Sequence, residues 1–65
     1  MNIILNGEAI HTEHQTLGTL VASLSLSAQR FAVEMNEQII PKSKLADTPL
    51  SENAKIEIIQ AVGGG

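Results

Sequence analysis

Phe31-Ala32-Val33-Glu34-Met35-Asn36-Glu37-Gln38-Ile39-Ile40-Pro41 is the stretch whose reading decides the fold. Phe31, Val33 and Met35 alternate with Ala32, Glu34 and Asn36, which is the period of a half-buried strand. Asn36-Glu37 predicts a turn into the short run Gln38 to Ile40. Pro41 closes that run, because proline cannot donate to a sheet ladder.

Upstream of this stretch the apolar period is different. Leu17, Leu20, Val21 and Leu24 recur at the spacing that puts them on one face of a helix, and Thr16 is placed to cap its N-terminus. Gly18 and the serines weaken this helix only modestly. Earlier still, Asn2 to Asn6 is apolar and β-prone, Asn6-Gly7 is a two-residue hairpin signal, and Glu8 to Thr12 reads as the returning strand. Downstream, Pro49 marks Ala46 to Asn53 as an irregular connection. Ile56 and Ile58 then alternate with Lys55 and Glu57, a last strand that runs toward Ala61-Val62.

Strand, strand, helix, strand, short strand, loop, strand is an α+β order. It predicts a β-grasp (ubiquitin-like) fold, a mixed sheet of four to five strands with one helix packed across it. A right-handed crossover brings the third or the final strand beside the first. Residues 1–62 read as this one domain and residues 63–65 as a flexible C-terminal glycine tail.

Composition narrows the function. Sixty-five residues bury only about 60% of the surface of the unfolded chain, too little to wall off a deep dry active site, so chemistry is expected to be exposed or shared with a partner. No catalytic residues and no enzyme activity of its own are therefore expected. The apolar content of 43% is globular, and Phe31 is the only aromatic residue. A net charge of -3 and the lack of Trp and Tyr argue against nucleic-acid binding. Without cysteine there is no disulfide, thiolate metal site or redox thiol. The N-terminus lacks the pattern of a signal peptide and no apolar run reaches transmembrane length, so a cytoplasmic protein off the membrane is expected. His11 and His14 have no third ligand at a recognisable spacing, so no metal is expected. No serine stands in a nucleophile elbow, and the tail cannot be a phosphate loop because no helix follows it.

The tail carries the chemistry. Gly63-Gly64-Gly65 follows an apolar strand, and three residues without Cβ can thread a narrow active site. The reactive group is then the carboxylate of Gly65, which is anionic and a poor electrophile until transfer of AMP from ATP gives it a leaving group. A sulfur nucleophile supplied in trans could attack that acyl-adenylate and leave a thiocarboxylate. Taken alone, a glycine-rich end more often reads as a frayed terminus. Alternation along the last strand places Ile56 and Ile58 inward and Ile59 and Ala61 on the other face. Ile39, Ile59, Ala61 and Val62 are thus a candidate docking patch, unless the helix or a loop covers them. Glu34, Glu57 and Asp47 read as an acidic rim, against the default of solvated surface charge.

Three stretches together resemble the ThiS family of sulfur carriers in thiamine biosynthesis: Ile3-Ile4-Leu5-Asn6-Gly7-Glu8, Val33-Glu34-Met35-Asn36-Glu37-Gln38-Ile39-Ile40-Pro41-Lys42, and Ile56-Glu57-Ile58-Ile59-Gln60-Ala61-Val62-Gly63-Gly64-Gly65. The resemblance implies a ThiF-type adenylyltransferase acting on Gly65, a sulfurtransferase system as sulfur source, and a ThiG-type thiazole synthase as consumer. It makes Gly64 and Gly65 the functional pair, with Val62 and Gly63 as the approach segment and Gly63 and Gly64 threading into partner active sites. It implies no bound cofactor, the ATP being used by the partner. Asn53-Ala54 replaces a Gly-Asp turn common in the family, and Asn53 is expected to take the left-handed conformation in its place. Alternatives are a molybdopterin-synthase-type carrier, usually longer and more aromatic at its end, a modifier that forms isopeptide bonds, and a β-grasp interaction module whose glycines do nothing. A monomer is expected for the free chain, with edge strands that leave weak self-association open.

Overall fold

Two left-handed turns and one capped helix set the element order. The computed structural model describes residues 1–26 and 30–60. It runs β1 (Asn2–Leu5), β2 (Glu8–His11), α1 (Leu17–Ser23), β3 (Phe31–Met35), β4 (Gln38–Ile40), a 3-10 helix (Lys42–Asp47) and β5 (Lys55–Gln60). Asn6 (φ 50°) and Gly7 (φ 83°) both turn left-handed, as a hairpin of this length requires if its strands are to keep their right-handed twist. Asn36 (φ 52°) and Glu37 (φ 70°) repeat the geometry without a glycine.

The sheet has the order β2-β1-β5-β3-β4. The final strand, not the third, lies beside the first: β5 runs parallel to β1, with Ile4 opposite Lys55 and Leu5 opposite Ile56. All other pairs are antiparallel. Two turn asparagines lock β5 in place. Asn6 Oδ1 accepts from the Ile58 amide at 2.8 Å, and Asn36 Oδ1 accepts from the Lys55 amide at 3.0 Å. Each side chain thereby satisfies a strand N–H and holds a hairpin against the central strand.

One face of the sheet carries the core. Ile3, Val33 and Ile56 are at most 1% exposed and share one apolar cluster with Leu17, Leu20 and Val21 of α1 and with Leu45, Leu50 and Ala54. Thr16 caps α1 as expected, its hydroxyl accepting from the Thr19 amide at 3.2 Å. Leu24, expected on the same face, is the C-cap residue and is half-buried.

Two expectations need correction. Ala46 to Asn53 is not irregular throughout, because Ala46 and Asp47 end the 3-10 helix, whose Leu45 is buried beneath α1. Pro41 starts it, its carbonyl accepting from the Lys44 amide at 2.8 Å. The segment after it is stitched to the start of α1: the Leu17 amide donates to Thr48 O (2.8 Å) and the Leu50 amide to Gln15 O (2.9 Å). Gly18 is more than a weak helix former. A Cβ placed there would stand 2.8 Å from the Cα of Ala46, so the glycine permits the close approach of α1 to the 3-10 helix. Asn53 takes the left-handed conformation (φ 67°), as the replacement of a glycine demands.

Candidate functional site

The last described residues of β5 have different neighbours on the two sides. On one side Ala32 stands opposite Ile59 and Phe31 opposite Gln60, so β3 accompanies β5 to its last residue. On the other side the paired register with β1 ends at Leu5 and Ile56, and beyond it the Asn6 side chain takes over at Ile58. An open cavity of about 320 Å³ lies at this end, lined by Arg30, Phe31, Ala32, Ile59 and Gln60. Lys42 Nζ sits 4.3 Å from the centre of the Phe31 ring, a cation–π contact. The last described residues of β5 thus border an apolar recess that has Arg30 in its lining and Lys42 over its Phe31 ring.

Residues directly opposite across antiparallel strands point to the same face, so the register fixes what the open face displays. Its rows are Ala32 with Ile59, and Ile39 with Glu34 and Glu57. Ile39 is 69% exposed and Ile59 53%; the other side of the sheet faces the core. The candidate patch is therefore uncovered at its two described members. They do not touch as one block. Ile39 and Ile59 lie on strands separated by β3, about 10 Å apart across the sheet, with Ala32 and Glu34 of β3 between the two strands. Ala61 and Val62, the rest of the candidate patch, lie outside the described residues, as do Gly63, Gly64 and Gly65 and the expected boundary between residues 62 and 63.

Of the expected acidic rim, Glu34 and Glu57 come together as direct cross-strand partners, whereas Asp47 sits on the 3-10 helix and not on the sheet. Their pairing was not foreseen, although two glutamates at outward positions of adjacent strands are a signal that a register could have exposed. The Arg30 and Phe31 recess was also missed, because it depends on how the strand ends meet.

The histidines are placed elsewhere. His11 Nε2 lies 2.6 Å from Glu13 Oε2 and its Nδ1 lies 3.4 Å from Asn2 Oδ1, while the His14 amide donates to the Thr12 hydroxyl. The hydrogen bond from His11 and then its charge, with a smaller contribution from the N-terminal amine, hold the Glu13 carboxyl below its usual range. Among the described residues no three His, Cys, Asp or Glu side chains gather at metal-ligating distance, and no helix is long and apolar enough to cross a membrane.

A mixed sheet with the final strand central and parallel to the first, one helix across one face and the other face open, defines a β-grasp domain. Residues 2–65 match the ThiS family, and the chain belongs to it. It is 33% identical over 66 residues to a thiazole synthase of Paramagnetospirillum magneticum, covering all of this chain but only 20% of that protein. It is likewise 33% identical to the ycf40 protein of Porphyra purpurea, covering 93% of it. The chain thus spans about a fifth of the thiazole synthases it matches and nearly the whole of the ycf40 proteins. In fold it is similar to the crystal structure of the thiamine biosynthesis protein ThiS of Geobacter metallireducens, with a TM-score of 0.83, 22% identity and full coverage of both chains. ThiS-family proteins are small sulfur carriers of thiamine biosynthesis.

Proposed function

We propose that this chain carries sulfur for thiazole formation on the carboxylate of Gly65. The observation that carries the reading is the last strand: β5 is central in the sheet and is held on both sides by the hairpin asparagines, and the glycine segment follows it in the sequence. The match to the ThiS family across residues 2–65 supports the same reading.

The chemistry takes two steps. A Gly65 carboxylate oxygen attacks the α-phosphorus of ATP on a ThiF-type adenylyltransferase, pyrophosphate leaves, and the carboxylate charge is masked in an acyl-adenylate. Hydrosulfide released by a sulfurtransferase system then attacks the acyl carbon, the C–S bond forms, AMP departs and loss of the S–H proton leaves the thiocarboxylate. The thiocarboxylate is delivered to a ThiG-type thiazole synthase. Similarity to thiazole synthases supports that consumer. The chain is a substrate of its partners and not a catalyst, Gly63 and Gly64 thread into the partners' sites, ATP is bound by the partner, and the setting is the cytoplasm.

Intact mass after incubation with ATP, a ThiF-type enzyme and a sulfur donor tests the reading. The expected result is replacement of one oxygen by sulfur, located at Gly65 by fragmentation and absent without ATP. An unchanged mass, with a working ThiS control, overturns it. The open face with exposed Ile39 and Ile59 favours a second reading, an interaction module whose glycines are idle. Deletion of Gly64 and Gly65 separates the two: growth without thiamine is lost if the chain is a carrier and kept if it is a module.

A further inference from the structure

The open face holds an arrangement the fold does not need. Glu34 and Glu57 stand directly opposite each other on β3 and β5, both half-buried. Their Cβ atoms are therefore about 5 Å apart, and like charges in that relation destabilise a sheet. Among the described residues neither carboxylate forms an ion pair. Lys55, the cation on the same face of β5, reaches to Glu37 instead, at 3.8 Å. The pair is flanked by Ile39, opposite Glu34, and by Ile59, two residues along from Glu57.

We propose that this face docks a partner protein that presents an arginine between apolar side chains, the guanidinium lying across Glu34 and Glu57 and the apolar groups covering Ile39 and Ile59. The inference rests on the carrier reading, in which a partner grips the segment that follows β5 in the sequence. Charge selects the occupant. A second copy of the chain related by a two-fold axis would bring four carboxylates together, and an anionic lipid surface or a nucleic acid would be repelled. A planar guanidinium has several N–H donors in a fixed fork and can serve two carboxylates at once, which an ammonium on a flexible stem does less well.

The arrangement separates fold from docking. Glu57→Lys puts a cation opposite Glu34, so the repulsion within the sheet becomes an attraction while a partner arginine meets a like charge. The expected outcome is unchanged or raised thermal stability together with binding to a ThiF-type adenylyltransferase weakened by about tenfold or more, measured by calorimetry at low and moderate salt. Glu34→Gln with Glu57→Gln is expected to weaken binding as well and to flatten its salt dependence. Affinity and salt dependence equal to the parent in both variants would overturn the proposal, as would a dimer of the parent chain that Glu57→Lys dissociates. The sulfur-transfer assay on the parent chain keeps the two readings apart: no mass gain there removes the carrier function, whereas normal mass gain with unaltered affinity in the variants removes only the docking site.

Discussion

Ile56 and Ile59 stand three residues apart on one strand and belong to two different surfaces. Ile56 is fully buried, opposite Leu5 of β1 and Met35 of β3 and in one apolar cluster with the α1 leucines, whereas Ile59 is 53% exposed. The covered face is apolar at its centre, with polar residues only toward its margins at Glu8, Gln38 and Gln60, and its packing holds the domain together. The open face mixes exposed isoleucines with two opposed glutamates. The difference teaches that burial, and not hydrophobicity alone, decides which isoleucines of one strand belong to the core.

The comparison breaks most visibly at Ile56. Ile56→Ala removes a fully buried side chain and should lower unfolding free energy by about 2–5 kcal/mol, read from denaturant midpoints with the slope checked for two-state behaviour. A loss as small as that of a surface substitution would mean that the covered face is not the core. Gly18→Ala sharpens the same face. Helix propensity alone favours alanine by about 1 kcal/mol, yet the backbone of Ala46 leaves no room for the added methyl. A net destabilisation of about 1–2 kcal/mol is expected from the overpacking; a stabilised variant would show that α1 and the 3-10 helix can part without penalty. The smallest effect belongs to the open face. Ile59→Ser should change stability by less than about 0.5 kcal/mol, as surface substitutions do, and thermal unfolding checks it.

Much of the fold was legible because its signals are local. The switch from helical to alternating period, the cap at Thr16 and the hairpin at Asn6-Gly7 each depend on residues a few positions apart, and each element stands within a residue or two of its expected place. The 3-10 helix was not legible, since six residues without a repeated apolar pattern fold over only when Leu45 finds the underside of α1. Of the site, alternation along β5 put Ile59 outward correctly, but exposure depended on which side α1 chose. The recess of Arg30, Phe31 and Gln60, and the meeting of Glu34 with Glu57, required the register.

By itself the sequence determined the strands and α1, their order, the hairpin turns and the family, because propensity, period and turn chemistry act over short stretches of chain. Only the tertiary structure decided that Gly18 must lack a side chain, that Asn6 and Asn36 hold β5 from opposite sides, and that two glutamates share one row of the open face. Those are contacts between residues about twenty to fifty positions apart, and a separation of that size leaves no periodic trace in the chain.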